Sequence, residues 1–222
     1  MVIYNGKTPL FNSKPYANKE VFAMPFSLKY LMDYIDIDVF RGIAIYTSYS
    51  SNQSILDIMS RFSNSYSADV ICGQAQAYFD TKKQIERYSL NNLMVYECKP
   101  SSIVTCISKP VHLFIVMPLS SNFAMLRNTP DYFLRIKQEN LDSLIENQRI
   151  AIEEASHHVE ENGQLVYAVP TLNIKEGHNI VEEFLNNHKD FVLKNEKQFF
   201  PFDPFDSTLY FAVLVKVERN ND

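Results

Sequence analysis

The 222-residue chain contains 46% hydrophobic and 21% charged residues and has a formal net charge of −5 at pH 7. This composition is typical of one globular domain and excludes a fibrous or largely disordered chain. The negative charge argues against sequence-blind nucleic-acid binding over the whole surface, because such binding needs many Lys and Arg contacts with phosphates. A local basic patch is still compatible with these numbers.

The chain lacks the sequence signals of membrane insertion and export. No apolar run is long enough to span a bilayer, and the start "MVIYNGKTPLFNSKPY" lacks the basic and then apolar layout of a signal peptide. The three cysteines, Cys72, Cys98 and Cys106, have no paired spacing, which favours a reducing compartment and a structural role for each thiol. We therefore predict a cytoplasmic protein without membrane contact.

In the first half of the chain, short apolar runs alternate with helical patterns. Residues 1–40 form a lead-in segment with a predicted helix in "VFAMPFSLKYLMDYI". After it, "GIAIYTS", "ADVIC" and "LMVYEC" are predicted strands, and "SILDIMSRF" and "QAYFDTKKQIERYSL" are predicted helices. We expect Lys82, Lys83 and Arg87 to lie on the water-facing side of the second of these helices.

In the second half, "VHLFIVMP" is apolar almost throughout, which is typical of a strand at the centre of a parallel sheet. Apolar residues recur every three to four positions from Gln138 to His158, which predicts a long helix with Gly163 as its stop signal. The strand "QLVYAV", the helix "IVEEFLNNH" and the terminal strand "LYFAVLVKV" follow.

This alternation predicts an α/β fold with a doubly wound sheet, in which ligands bind at the carboxyl ends of the strands. No linker rich in Gly, Pro or Ser divides the chain. We therefore expect a single domain overall, with residues 1–40 packed as a lead-in segment on the core formed by residues 41–222.

Several features occur in one order along the second half of the chain. The segment "MPLSSNFAMLRNTPDYFLRIK" follows the fourth strand and contains an Arg and a Pro-Asp pair. A helix with a Gln, a Gly and a Leu-Val-Tyr strand follow in "LIENQRIAIEEASHHVEENGQLVYAVPTLNIKEG". The segments "IERYSLNNLMVYE" and "DSTLYFAVL" extend the pattern at both ends.

This order resembles the catalytic domain of the Sun/Fmu (RsmB-like) family of ribosomal RNA cytosine-C5 methyltransferases, which use S-adenosylmethionine. The resemblance is strongest from Val111 to Asp190. It implies a mostly parallel, Rossmann-like methyltransferase sheet with an antiparallel C-terminal strand. The separate RNA-binding domain of the family has no match, so RNA contact is expected from the methyltransferase-like domain itself.

In the resembled family, a cysteine in the turn after the fifth strand attacks the cytosine ring, and a cysteine after the fourth strand helps to release the product. The reaction needs a thiolate, because a strong nucleophile must break the aromaticity of the ring. Pro170 and Leu119 occupy the two matching positions, and Val116 stands where the family has an Asp. The resemblance therefore implies that this chain has no catalytic residues.

The cofactor turn of the family is rich in glycine, which lets the backbone approach the ligand. Here the turn reads "IAIYTSYSSNQS" and has no glycine, and Cys72 matches the acidic residue that accepts hydrogen bonds from the ribose. A Ser-rich loop of this kind is also typical of a helix cap. We expect no cofactor and a degenerate pocket, lined by Thr47, Ser48, Ser50, Ser51, Cys72 and Val116.

Contact with RNA and an ordinary charged surface explain Arg127, Arg135 and Lys137 equally well. The aromatic tail "QFFPFDPFDSTLYF" is interpreted as a hairpin packed on the edge of the core, with a partner-binding patch as the alternative. The histidines have no Cys or carboxylate spacing that indicates a metal site.

Together these patterns favour a catalytically inactive methyltransferase relative that acts as an RNA- or ribosome-associated scaffold, or as an accessory subunit of an active methyltransferase. The alternative is an active S-adenosylmethionine-dependent RNA methyltransferase with a rearranged site. A decaying duplicate without a selected role is the third reading. The sequence does not indicate an oligomeric state.

Overall fold

The computed structural model describes residues 9–37, 41–49, 54, 56–58, 67–91, 93–123, 131, 137–201 and 208–218. Their strands form one seven-stranded sheet in the order β3-β2-β1-β4-β5-β7-β6. The first five in this order are parallel, and β7 runs antiparallel to both of its neighbours. The strands are β1 (Ile43–Thr47), β2 (Ala68–Cys72), β3 (Leu93–Glu97), β4 (Val111–Met117), β5 (Val159–Val169), β6 (Phe191–Phe199) and β7 (Leu209–Lys216).

Helices pack on both faces of the sheet, so the predicted doubly wound, mostly parallel fold is confirmed. The α-helices are α1 (Lys14–Ala17), α2 (Phe26–Tyr34), α3 (Ala75–Tyr88), α4 (Gln138–Ser156) and α5 (His178–Asn187), and two 3-10 helices span Leu10–Asn12 and Pro100–Thr105. One core contains side chains of α4, α5 and the second 3-10 helix, and the other contains side chains of α2 and α3. None of the described helices is long and apolar enough to cross a membrane.

Strand β4 lies at the centre of the sheet between β1 and β5, as its continuous apolar sequence predicts. Phe114 and Val116 belong to one core, and Leu113 and Ile115 belong to the other. All four side chains are fully buried. The carboxyl end of this strand therefore has rigid support on both sides.

Gly163 does not stop α4, and this prediction is wrong. The helix ends at Ser156, and Gly163 lies inside β5, where the register with β4 is irregular. A Cβ at Gly163 would lie 2.9 Å from the carbonyl oxygen of His112. The glycine is therefore required by a close approach of two backbones at a bulge, not by a helix end.

The sequence analysis did not predict strand β6. Its sequence is largely polar, which is typical of an edge strand, and it pairs only with β7 in the described sheet. Phe199 at its end is paired with Leu209 at the start of β7, so the hairpin interpretation of the aromatic tail is confirmed. Residues 202–207 between these strands lie outside the described part of the chain.

Lys82 and Lys83 are exposed on α3 as expected, but Arg87 is not on the water-facing side. Its guanidinium donates a hydrogen bond of 2.6 Å to the carbonyl oxygen of Tyr16 and lies 4.5 Å from the centre of the Tyr16 ring. The helical spacing could not reveal this contact, because the lead-in segment that covers Arg87 is distant in sequence. The boundary predicted at residue 40 stays a prediction.

Candidate functional site

The structure brings four of the six predicted pocket residues to the carboxyl ends of the central strands. Thr47 at the end of β1 is paired with Cys72 of β2, and Ser48 follows it. Val116 lies one residue before the end of β4 and is paired with Tyr46. Ser50 and Ser51 lie outside the described residues.

Tyr46, which the sequence analysis did not single out, fills the space between the ends of β1 and β2. Its side chain is buried, and burial raises the pKa of its hydroxyl. A Cβ added at Gly73 would lie 2.3 Å from the Tyr46 hydroxyl oxygen and 2.7 Å from Oγ of Ser48. The absence of a side chain at Gly73 therefore leaves room for the tyrosine of this chain.

The loops beyond β1 and β4 are joined across the point where the strand order reverses. The Ser48 backbone N–H donates a hydrogen bond of 3.0 Å to the carbonyl oxygen of Met117. Farther along these loops, the hydroxyl oxygens of Tyr49 and Ser120 are 3.0 Å apart. Ligands of doubly wound folds bind in the crevice at this point, and here contacts within the chain cross it.

Two of the predicted pocket residues direct their side chains into the cores. The thiol of Cys72 is buried among the side chains beside α2 and α3, and it lies 3.6 Å from the hydroxyl of Thr81. Burial raises the pKa of this thiol. Val116 is fully buried in the opposite core. In these positions neither side chain presents a polar group to a ligand.

Leu119 and Pro170 follow the neighbouring strands β4 and β5, as expected. Leu119 is 37% exposed, and Pro170 is half-buried. The carbonyl oxygen of Leu119 accepts a hydrogen bond of 3.0 Å from the amide of Gln148 on α4. The two turns thus lie next to each other at the strand ends and carry aliphatic side chains at Leu119 and Pro170.

A buried carboxylate holds these two turns together. Glu176 is fully buried and accepts hydrogen bonds from the Ser121 backbone N–H at 2.7 Å and from the Ser121 hydroxyl. It also accepts bonds from Thr171 at 2.9 Å, from the Gln148 amide at 3.0 Å and from the Asn173 amide at 3.4 Å. These groups, which we call the Glu176 cluster, come from the β4 loop, from α4 and from the β5 loop.

The sequence analysis missed the Glu176 cluster as a unit. The resemblance had noted a Gln in the long helix, but a single Glu in a polar loop is usually exposed. The signal that was available is the number of small hydroxyl residues directly after both strand ends, in "PLSSN" and "VPTLN". Such side chains are the donors that a buried carboxylate needs.

Of the three candidates for RNA contact, only Lys137 lies within the described residues. It is exposed and precedes the first turn of α4. Its carbonyl oxygen accepts hydrogen bonds from the N–H groups of Asn140 and Leu141. Arg127 and Arg135 lie outside the described residues.

Four of the histidines pair with glutamates. Nε2 of His157 lies 3.7 Å from Glu153. Nitrogen atoms of His178 and His188 lie 2.7 Å from Glu196 and Glu153, respectively. His112 lies 3.4 Å from Glu160, which also pairs with Arg41. Within the described part of the chain, no three His, Cys, Asp or Glu side chains are grouped so that they could hold a metal ion.

The His178 and Glu196 pair predicts a small pH dependence of stability. The hydrogen bond that His178 donates to the Glu196 carboxylate raises the pKa of His178 above its ordinary value of 6.5. The stabilisation is therefore fully present below about pH 6.5 and is lost as the pH rises through the raised pKa. Since the His178 side chain is 49% exposed, we expect less than about 1 kcal/mol.

The measurement is urea unfolding of the wild type and of His178→Gln at several pH values. The difference in unfolding free energy should be larger at about pH 5.5 than at about pH 8.5. The substitution should have little further pH effect in a Glu196→Gln background. An equal difference at both pH values would contradict the assignment.

Comparison with known proteins identifies a matching family and solved structures of the same fold. The family described as 16S rRNA methyltransferase RsmB/F matches residues 68–204, which is more than half of the chain. No curated protein matches the sequence. Solved structures with low sequence identity share the fold over most of the chain.

The protein PH0851 has a TM-score of 0.85 and 12% identity, over 95% of this chain and 50% of that protein. NSun6 from Pyrococcus horikoshii, solved with SFG, has a TM-score of 0.82 and 13% identity, over 95% of this chain and 57% of that protein. A methyltransferase homolog from Pyrococcus horikoshii has a TM-score of 0.76 and 13% identity, over 96% of this chain and 73% of that protein.

This chain therefore spans about half the length of the first two of these structures. The matched residues include strands β2 to β6 and the turns after β4 and β5. The chain belongs to the 16S rRNA methyltransferase RsmB/F family.

Proposed function

We propose that this protein is a catalytically inactive member of the RsmB/F family that binds ribosomal RNA as a scaffold or accessory subunit. The observation that carries the proposal is the pair Leu119 and Pro170, which occupies both turns where the resembled family has its cysteines. Neither side chain can add to a pyrimidine ring. A covalent cytosine adduct is therefore not available at these turns.

Cys98 and the adjacent Cys106 are too far from Pro170 to replace the missing nucleophile, and the Cys72 thiol is buried in a core. Cys98 follows β3, and the sheet order places four strand spacings between β3 and β5. At about 4.8 Å per spacing, the end of β3 lies roughly 19 Å from the end of β5, where Pro170 is located. Direct attack on a base held at Pro170 would require a reach of a few ångströms.

The groups at the predicted cofactor site do not fit S-adenosylmethionine. The Tyr46 ring and Ser48 occupy the space around Gly73 at the ends of β1 and β2. The residue at the end of β2 is the buried Cys72, so its side chain offers no carboxylate to ribose hydroxyls. These features support a protein that does not depend on this cofactor.

The Glu176 cluster supports a binding role for the same edge of the sheet. Glu176 joins the two turns through buried hydrogen bonds although neither turn carries the chemistry of the family. A buried hydrogen-bonded cluster rigidifies the loops that it joins and so fixes the shape of the surface above it. In an RNA-modifying family, that surface is the one that faces RNA.

We predict no binding of S-adenosylmethionine and no methyl transfer by the unaltered protein. Calorimetric titration with S-adenosylmethionine and with its demethylated product should give no heat of binding at high ligand concentration. Transfer of a labelled methyl group to ribosomal RNA should equal the background, with an active family member as the positive control. Micromolar binding or methyl transfer would overturn the inactive assignment and favour the rearranged enzyme.

RNA binding is tested by charge reversal. We expect the triple variant Arg127→Glu, Arg135→Glu and Lys137→Glu to bind 16S ribosomal RNA more weakly than the wild type. For this variant, the slope of the logarithm of the binding constant against the logarithm of the salt concentration should become less steep by about one unit for each phosphate contact that is lost. A matched control reverses the charges of three other exposed lysines, Lys82 and Lys83 on α3 and Lys109 before β4.

Filter binding across a range of salt concentrations measures both the affinity for RNA and its salt dependence. Equal losses in the two triple variants would indicate a general charge effect and would contradict a site at these residues. If the wild type binds no ribosomal RNA but copurifies with an active methyltransferase, the accessory role would replace the RNA-binding role.

A further inference from the structure

Two cysteines that are eight positions apart in the sequence meet in the structure. The Sγ atoms of Cys98 and Cys106 lie 3.3 Å apart, and both side chains are half-buried. Cys98 follows β3, and Cys106 caps the end of the 3-10 helix Pro100–Thr105. The helix thus folds back so that residues at its two flanks are in contact.

The remaining cysteine cannot join this pair. The Cys98 and Cys106 side chains pack against the core beside α4, whereas Cys72 is fully buried in the core on the other face of the sheet. The Cys72 thiol lies 3.6 Å from the hydroxyl of Thr81. The structure therefore separates one inert thiol from two adjacent thiols.

We propose that Cys98 and Cys106 form a redox-active pair that hydrogen peroxide, or another two-electron oxidant, converts into an intramolecular disulfide. The proposal rests on the contact between the two sulfur atoms and on their partial exposure. It is independent of RNA binding and of methyl transfer. In a reducing compartment the pair stays reduced until such an oxidant appears.

The first step takes place on Cys106. Burial, together with the neighbouring Cys106, raises the pKa of the Cys98 thiol, which disfavours its thiolate, so we assign the first attack to Cys106. The thiolate of Cys106 attacks one peroxide oxygen, an S–O bond forms and the O–O bond breaks. The leaving hydroxide takes up a proton and becomes water.

In the second step the Cys98 sulfur attacks the sulfur of the Cys106 sulfenic acid. The S–S bond forms, the S–O bond breaks, and the departing hydroxide leaves as water with the proton of Cys98. Two thiols and one hydrogen peroxide thus give one disulfide and two water molecules. The two thiols supply the two electrons that reduce the peroxide.

The test uses the full, reduced chain treated with hydrogen peroxide and then unfolded for thiol titration. We expect two of the three thiols to be lost without dimer formation. The intact mass should fall by two hydrogen atoms, and proteolysis should yield a peptide that links Cys98 to Cys106. These readings need no variant and so do not depend on the folding of one.

Two variants assign the roles. Cys98→Ser should form no disulfide and should leave a sulfenic acid on Cys106 that dimedone traps, whereas the matched control Cys72→Ser should still form the link. Circular dichroism before oxidation verifies that each variant is folded. Retention of all three thiols by the wild type, a link that includes Cys72, or a link between two chains would overturn the proposal.

Discussion

Replacing Glu176 with alanine is expected to lower the free energy of unfolding by about 3 to 5 kcal/mol. The carboxylate is fully buried and accepts hydrogen bonds from Ser121, Gln148 and Thr171, which are buried as well. Its removal leaves the Ser121 backbone N–H without this acceptor, and it removes one of the two acceptors of the Gln148 amide. The hydroxyls of Ser121 and Thr171, which are 3.3 Å apart, keep only each other as partners within the cluster. Each unsatisfied buried donor costs about 1 to 3 kcal/mol, so the effect is expected to exceed that of an ordinary surface substitution.

Urea unfolding followed by circular dichroism measures this effect. Lys175→Ala is the matched control, because Lys175 is exposed in the same loop, and it should change stability by less than about 0.5 kcal/mol. Glu176→Gln keeps one acceptor oxygen and nearly the same volume. Its loss of unfolding free energy should therefore lie between those of Glu176→Ala and Lys175→Ala. A loss under about 1 kcal/mol for Glu176→Ala would contradict the role of the cluster.

The Glu176 cluster also predicts where in the molecule hydrogen exchange becomes faster after the substitution. The Glu176→Ala variant should lose amide protection first at Ser121, whose N–H donates to the carboxylate. Hydrogen exchange read by mass spectrometry would show faster exchange in the loops after β4 and β5, with little change in β2 and β3. Uniformly faster exchange across the sheet would indicate that the effect is on global stability alone.

Tyr46→Ala is expected to cost about 3 to 5 kcal/mol, because it removes a buried aromatic ring from the core. Tyr46→Phe removes only the hydroxyl, which lies 3.4 Å from Oγ of Ser48, and should cost about 1 kcal/mol. The ring is therefore expected to matter more than its hydroxyl group. A loss in Tyr46→Phe as large as that in Tyr46→Ala would contradict this expectation.

A double-mutant cycle tests whether Tyr46 occupies the space in front of Gly73. In the wild type, Gly73→Ala should cost about 1 to 3 kcal/mol, because the new Cβ would lie 2.3 Å from the Tyr46 hydroxyl oxygen. In the Tyr46→Ala background the same substitution should cost clearly less. Additive losses would show that another group opposes the added methyl group.

The local pattern of the sequence predicted most of the elements and their order. Strands β1, β2, β3 and β4 and helices α3 to α5 lie within one or two residues of their predicted positions. Burial on one side leaves a period in the sequence, and burial of a strand on both sides leaves a continuous apolar run. Strand β6 was missed, since an edge strand with many polar residues has no such period. The resemblance correctly identified the family and the antiparallel C-terminal strand.

Sequence by itself determined which functional groups the two turns contain. Leu119 and Pro170 can be read directly from the chain, and side-chain identity decides whether a thiolate is available. The glycine-free turn after β1 is equally visible. These conclusions need no distances, because they depend on which functional groups the chain contains at its strand ends.

Only the tertiary structure decided which distant groups meet. The burial of Glu176 among donors from three segments, the place of Tyr46 in front of Gly73 and the contact between Cys98 and Cys106 all depend on packing. A period in the sequence reports the burial of a side chain, but it carries no information about its partner. These contacts are formed when the strands and helices come together around the shared core, and for that reason no local pattern could predict them.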